Sequence, residues 1–396
     1  MLRKAFLELL YESAHMQRWN DHIRPKGFTE LDKQAHKMII AFVLARFAEE
    51  DAPGSIQWQR LIEGGIFEFL HRLCLTDIKP PVFHELMATH GEQLNRWVLQ
   101  ELEPKISALG TDFGSRFEQY FFDASYSGAE KKILRAAHYL ATNWEFRIIK
   151  NLNSSFHDLR ETQERIEAEL EEHADLIGVQ KIVLDRKIGQ FVNYVGQLRF
   201  QQRWAQSPRV PETSVMGHML IVGILGYVLS VEIGACERRI CNNYFTGLFH
   251  DLPEVLTRDI VSPVKRSVAG LDELIKGIEH RLIDEKLLPL LPPTWHGQIN
   301  YYIRDEFSNR ILVDGKLQEV ASGEIDKLYN EDCYEAVDGE LLKACDHLAA
   351  YIEAKLSLAH GMQSHHLREG AEELYQLYKN RHIVGLDFGQ YFDYFQ

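Results

Sequence analysis

The chain has 396 residues, enough for two domains that each bury a sizeable core. It carries 44 basic and 58 acidic side chains, a formal charge of −14, which excludes a broad basic footprint for duplex nucleic acid; a small anionic substrate is still compatible with a local metal ion or arginine. The five cysteines (Cys74, Cys236, Cys241, Cys333, Cys345) are odd in number and form no CxxC pair, which argues against a disulfide framework or a thiolate zinc site and for a reducing, cytoplasmic setting.

Taken in chain order, the predicted elements are almost all helical. The opening MLRKAFLELLYESAHMQRW is amphipathic, and Glu8 interrupts the apolar core a signal peptide needs. Apolar residues at three- and four-residue spacing predict helices over residues 35–50 (AHKMIIAFVLARFAEE), 218–234 (HMLIVGILGYVLSVEIG) and 340–361 (ELLKACDHLAAYIEAKLSLAHG). The most apolar run, Met219 to Val231, stops at Glu232 and suits a buried helix better than a membrane span. Residues 154–188 read as one charged helix with a thin apolar stripe of Leu159, Ile166 and Leu170. No β-branched alternation bounded by hairpin turns stands out, so the expected fold class is all-α.

One pattern occurs twice. GLFHDLPEVLTRDIVSPVK at 247–265 and GIFEFLHRLCLTDIKPPV at 65–82 share seven identical positions at an offset of 182. Upstream, MQRWNDHIRPKGFTELDKQAHKMIIAF (16–42) parallels QQRWAQSPRVPETSVMGHMLIVGIL (201–225): each has Gln-Arg-Trp, a loop and a histidine opening an apolar helix. Pairing His36 with His218 makes the first loop three residues longer. Downstream, LRAAHYLATNWEF (134–146) parallels LKACDHLAAYIEA (342–354), with His138 opposite Asp346. Three matches in one order imply a tandem duplication. The expected domains are 1–152, a charged connector at 153–185, and 186–396.

The chemistry sits in the second copy. His218, His250, Asp251 and Asp346 lie on three predicted helices and form a nitrogen–oxygen donor set suited to one divalent ion: manganese, cobalt, iron, zinc, nickel or magnesium. Neighbouring helix residues point about 100° apart, so His250 and Asp251 reach one ion only if their helix approaches it closely. Glu254, four residues after His250 and three after Asp251, shares their face and is placed to handle a proton. His-Asp alone is weak evidence, since His157-Asp158 occurs with no such pattern around it. An aspartate in the apolar helix at 346 is otherwise a costly buried charge. There is no GxxxxGK[ST] cradle, and the isolated His280 and His296 do not make a second metal set.

The order Arg203-Trp204, His218, His250-Asp251, Glu254, Thr257, Asp259, Pro263-Val264-Lys265 and Asp346 resembles the HD-domain metal-dependent phosphohydrolases. The stretch HDLPEVLTRDIVSPVK is most similar to their bacterial 5′-deoxynucleotidase branch, and the likeness spans roughly residues 186–360. The resemblance implies an all-α fold of two tandem HD-like bundles, the second carrying the metal on His218, His250, Asp251 and Asp346. It further implies that Arg203 orients the substrate phosphate, Trp204 packs sugar or base, Glu254 serves the catalytic water and Asp259 contacts the sugar hydroxyl. Glu331 and Tyr334, in NEDCY, stand where the family places a substrate loop, and Gly217 stands where the family usually has an acidic residue.

The implied activity is removal of phosphate from nucleoside 5′-monophosphates, deoxynucleotides included, or similar small phosphoesters. A metal- and nucleotide-binding sensor with little turnover is the alternative. Duplex nucleic acid and membranes are not expected partners. In the first copy Glu68 and Phe69 replace the His-Asp pair, Arg72 the glutamate and His138 the last aspartate, leaving His36, Arg18-Trp19 and Asp77. That copy reads as a packing mate in an internal pseudo-dimer, or else as a metal-free nucleotide pocket.

Overall fold

Helices make up nearly all regular structure in the computed structural model, which describes residues 2–110, 112–260, 268 and 270–396. The chain separates into two compact units, Met1–Gln180 and Lys181–Gln396. The fold class is all-α, as expected.

Unit 1 contains α1 (Lys4–Glu12), α2 (Glu30–Asp51), α3 (Trp58–Leu75), α4 (Pro80–Ile106), α5 (Phe113–Phe122), α6 (Gly128–Leu152) and α7 (Leu159–Glu171), and α8 (Ile177–Val183) begins in it. α2 is buried along most of its length and packs on α6 and α3. Thr29 caps it, its hydroxyl accepting from the Asp32 N–H. The charged stretch expected as one connecting helix is two helices, α7 and α8, separated by a turn at 172–176. α7 packs on α6 and buries Leu159, Ile166 and Leu170, the predicted stripe, so it belongs to the body of unit 1.

Unit 2 contains α9 (Lys187–Gly196), α10 (Val215–Glu232), α11 (Glu237–Phe249), α12 (Glu254–Thr257), α13 (Leu271–Leu282), α14 (His296–Ile303), α15 (Ser322–Leu328), α16 (Gly339–Ala359), α17 (His365–Tyr378) and α18 (Gly389–Asp393). α10 is long and apolar enough to pass for a membrane span, but 89% of it is buried inside the protein, where it is the core helix. Its closest neighbour is α11, and glycine permits the approach: a Cβ on Gly247 would lie 2.9 Å from the Gly223 backbone. α16 packs across both. Arg239 on α11, fully buried, donates to both carboxylate oxygens of Asp338 (2.7 and 2.8 Å) and ties α11 to the start of α16.

Strands β1 (Arg310–Val313) and β2 (Lys316–Glu319) form an antiparallel hairpin that the sequence reading does not anticipate, with Val313 opposite Lys316. Its signal is Asp314-Gly315, both at positive φ (50° and 73°), a pair that favours the two-residue turn matching strand twist. The strands are too short for alternation to show.

Backbone details recur in both units. Gln17 bridges Thr29 just before α2, and Gln202 bridges Ser214 just before α10. Arg18 N–H donates to the Phe28 carbonyl and Arg203 N–H to the Thr213 carbonyl. Trp19 and Trp204 both sit at positive φ, 55° and 56°, as do Thr76 and Arg258, 57° and 65°. The cap comes ten positions after the tryptophan in each unit, so the loops are equal in length and the expected three-residue difference does not exist. Four residues beyond the cap stands Lys33 in unit 1 and His218 in unit 2. His36 therefore does not occupy the His218 position. It lies a turn deeper, its ring against Trp144 at 5.2 Å.

Candidate metal centre

Three elements of unit 2 place the donors. Ser214 caps α10 and accepts from the Gly217 N–H, which sets His218 in the first turn. His250 and Asp251 follow the end of α11, where the chain turns toward α12, and Asp346 stands in the second turn of α16. Nitrogen or carboxylate atoms of His218, His250 and Asp346 lie within 4.8 Å of one another. Asp251, the fourth expected donor, lies outside that mutually close group but beside it, its Oδ2 3.1 Å from His250 Nε2.

The hydrogen bonds fix which atoms point inward. His250 Nδ1 is 2.8 Å from the Gly247 carbonyl, which can only accept, so Nδ1 carries the proton. Its buried Nε2 then offers a lone pair toward a carboxylate oxygen, an arrangement that repels unless a proton or a metal ion intervenes. His218 Nε2 lies 2.8 Å from Asp346 Oδ1, with the proton's position on that ring set by no carbonyl partner. Burial opposes charge on His250, yet the carboxylates of Asp251 and Asp346 outweigh it and push its pKa up to about 9. Burial likewise raises the Asp251 carboxyl, but His250, His218 and Arg203 hold it down at about 2. Asp346 is held low by His218, His250 and Arg203 against the same burial. A dense set of ionised carboxylates against imidazoles fits a divalent ion.

Arg203 lies beside these donors. Its Nε donates to Glu353 Oε2 at 3.3 Å, and its Nη1 is 3.5 Å from Asp251 Oδ2. Trp204 Nε1 donates to the same Glu353 oxygen at 3.0 Å, and its ring lies against Gly370 of α17, where a Cβ would come within 2.9 Å. Glu353 is the residue the sequence reading missed. Buried seven residues after Asp346 on α16, it also accepts from Thr213 Oγ1 (2.7 Å) and stands 3.7 Å from His218 Nδ1. Burial would raise its pKa; Arg203, Arg209 and His218 hold it well below the usual carboxylate range. A signal was present, because Glu145 follows His138 by the same seven residues.

Glu254 opens α12 and is buried, its N–H donating to the Asp251 carbonyl at 3.0 Å. Thr257, on the same helix, donates to Glu279 of α13 at 3.3 Å, and Asp259 is half-buried beyond it. Pro263, Val264 and Lys265 lie outside the described residues. Glu331 and Tyr334 do not join the His–Asp cluster. Tyr334 packs on Tyr329 and the small cluster of Ile311, Ile325 and Ala336, and Glu331 is exposed. Their loop is tied elsewhere, through Asn330 Oδ1 to the Cys236 N–H and Arg239. His296 Nε2 faces the Leu291 carbonyl at 3.3 Å, away from any second donor set among the described residues.

Comparison with known proteins agrees with this geometry. The HD domain family matches residues 195–375. The 5′-deoxynucleotidase YfbR of Shigella flexneri is 25% identical over 186 residues, covering 44% of this chain and 76% of the relative. The 5′-deoxynucleotidase PM0747 of Pasteurella multocida is 22% identical over 188 residues, 45% of this chain and 78% of that protein. A dATP triphosphohydrolase of Acinetobacter phage SH-Ab 15497 is 34% identical over 97 residues, 20% of this chain and 47% of the phage protein.

Proposed function

We propose, from the HD domain match over residues 195–375 and the similarity to 5′-deoxynucleotidases, that unit 2 removes phosphate from nucleoside 5′-monophosphates, with deoxynucleotides as the preferred class. The observation that carries the reading is the buried His250 Nε2 set against the Asp251 carboxylate beside the His218–Asp346 pair. That donor set suits one divalent ion held by His218, His250, Asp251 and Asp346. Such an ion, when bound, supplies an acidified water and neutralises phosphate charge.

The chain's own groups do the rest. Arg203, anchored on Glu353 through Nε, turns the remainder of its guanidinium toward a phosphate. Glu254 takes the proton from the attacking water and can return it to the leaving 5′ oxygen. Trp204 packs the nucleoside, and Asp259 accepts from a sugar hydroxyl. Glu353 keeps the His218 imidazole and the Arg203–Trp204 pair in register, an outer-layer role that metal sites commonly need. A sensor with little turnover would have no use for a buried carboxylate at position 254, so the enzyme reading is favoured.

We also read the chain as an internal duplication acting in the cytoplasm. The recurring bridges, positive-φ tryptophans and helix caps support the duplication, and the absence of any disulfide among the five cysteines fits the setting. The test is phosphate release by the full chain, stripped with chelator and reloaded with single metals, against a panel of ribo- and deoxynucleoside mono- and triphosphates. Metal-dependent release from 5′-monophosphates supports the assignment; no release from any of them with any metal overturns it.

A further inference from the structure

Unit 1 keeps the substrate-facing half of the arrangement and replaces the metal-binding half. Arg18 Nε and Trp19 Nε1 both donate to Glu145 Oε2, at 2.9 and 2.8 Å, as Arg203 and Trp204 do to Glu353. Asp77 stands where unit 2 has Asp259. The positions of His218, His250, Asp251, Glu254 and Asp346 hold Lys33, Glu68, Phe69, Arg72 and His138. Thr76 and Arg258 fix that register: each has positive φ and donates its N–H to the carbonyl of Arg72 or Glu254.

Charge makes the exchange intelligible. With neutral imidazoles, the five unit 2 residues carry three carboxylates and no cation, −3; those of unit 1 carry one carboxylate and two cations, +1. Three flanking charges, Glu30, Asp32 and Lys37, stand where unit 2 has Val215, Gly217 and Val222, and they bring the unit 1 set to zero. A divalent ion would bring the unit 2 set to −1. Unit 1 without metal thus matches metal-loaded unit 2 to within one charge.

Within that set the neutralisation is uneven. Arg18 takes both Glu30 and Glu145 at 2.9 Å. Lys37 and Tyr120 take Glu68. Among the described residues, the Lys33 ammonium, 1% exposed and with three donors, hydrogen-bonds only the His138 ring. Arg72 reaches Glu30 and Asp77 only at 3.7 and 3.6 Å, and its side chain is 22% exposed. A buried ammonium without a carboxylate in contact is costly, and an incoming anion would relieve it. Burial first, then Arg18 and Lys37, hold the Lys33 pKa well below its ordinary value; burial and four neighbouring cations do the same to His138.

We propose that unit 1 is a metal-independent binding site for a phosphate monoester dianion, in which the Lys33 ammonium stands in for the metal ion and Arg18, Arg72 and His138 complete the contacts. The dianion comes either as a nucleoside monophosphate, with Trp19 and Asp77 engaging the nucleoside, or as free phosphate. The comparison rests on the reading of unit 2 as a metal and phosphate site, but the two are tested separately.

The experiment is calorimetric titration of the full chain in excess EDTA with deoxyadenosine 5′-monophosphate and with inorganic phosphate. Wild type should show saturable binding. Lys33→Met and Arg72→Gln should each weaken it about tenfold or more, the scale of one charged hydrogen bond, while Asp346→Asn in unit 2 should leave it unchanged. Lys33→Met removes a buried charge and keeps the side-chain volume, so its folded state is retained, and thermal unfolding verifies this. Tighter binding of the nucleotide than of phosphate identifies the nucleoside form, and equal binding identifies free phosphate; both support the site. No saturable binding of either probe in EDTA overturns it, and so does binding that responds to Asp346→Asn but not to Lys33→Met. Failure of the unit 2 reading would show elsewhere, as the absence of metal-dependent turnover.

Discussion

Unit 1 and unit 2 carry the same Arg–Trp–Glu hydrogen-bonded trio and differ at the positions beside it. In unit 2 the carboxylates of Asp251 and Asp346 face imidazole nitrogens across 3.1 and 2.8 Å. In unit 1 a phenylalanine fills one of those positions, and a lysine and a histidine face each other at the other pair. The difference teaches that similar Arg–Trp–Glu trios stand beside different charge sets, carboxylates against imidazoles in unit 2 and an ammonium against an imidazole in unit 1, each needing its own local compensation. The frame itself depends on apolar helix faces, which both units retain.

The most drastic way to break this comparison is to remove a donor. Asp251→Ala should bring the metal content of the full chain from one ion to near none and take phosphate release to background. Phe69→Ala, at the matched place in unit 1, should leave metal content unchanged; elemental analysis of both variants checks this. Equal metal in wild type and Asp251→Ala would refute the site.

Next in size is the proton-handling carboxylate. Glu254→Gln should keep the metal yet lower kcat by ~10²-fold or more, the usual range for general acid–base groups. Arg72→Gln, its unit 1 counterpart, should leave kcat within about twofold while affecting the metal-free binding. Steady-state kinetics with metal analysis separates the two.

A smaller effect is expected behind the site. Glu353→Gln should weaken metal affinity or turnover by about 10- to 100-fold, as for other outer-layer partners of metal ligands. The matched Glu145→Gln should leave turnover near wild type and instead destabilise unit 1, because Arg18 loses a buried partner. Metal titrations and hydrogen exchange on α2 and α10 distinguish these outcomes.

The gentlest test uses pH. In the chelated protein His250 has its pKa raised from 6.5 to about 9, so its stabilising contribution is complete below pH 6.5 and is lost as pH rises through about 9. Lys33 is shifted the other way, below its ordinary 10.5, so protons favour the unfolded state and unit 1 gains stability as pH rises toward 10.5. His138, held below 6.5, adds a loss in unit 1 as pH falls under that value. Amide exchange should therefore show α10 becoming less protected as pH rises through about 9, and α2 gaining protection as pH rises toward 10.5, after correction for intrinsic rates. Parallel changes in both helices would contradict the assigned electrostatics.

Periodicity alone marked the long helices, because an apolar stripe at 3.6-residue spacing must be buried somewhere. The stripe of Leu159, Ile166 and Leu170 faces inward as read, and His218, His250 and Asp346 converge as their order implied. The short β1–β2 hairpin escaped because four-residue strands carry too little alternation to register. The packing of Tyr334 on Tyr329 and on the Ile311, Ile325 and Ala336 cluster was not legible, because position within a loop says nothing about which way a side chain packs.

By itself the sequence determined the helical class and singled out His218, His250 and Asp346, which the fold brings together; both follow from residue types and spacing along one chain. Only the tertiary structure decided that Lys33, and not His36, occupies the His218 position, since a three-residue helical shift keeps a side chain on nearly the same face and is resolved only by the cap and bridge that start the helix. It also decided the place of Glu353, whose partners Arg203, Trp204, Thr213 and His218 lie 135 to 150 residues away in sequence and meet it only when α16 packs against α10. Contacts of that separation are set by which helices pack together, and no local pattern encodes them.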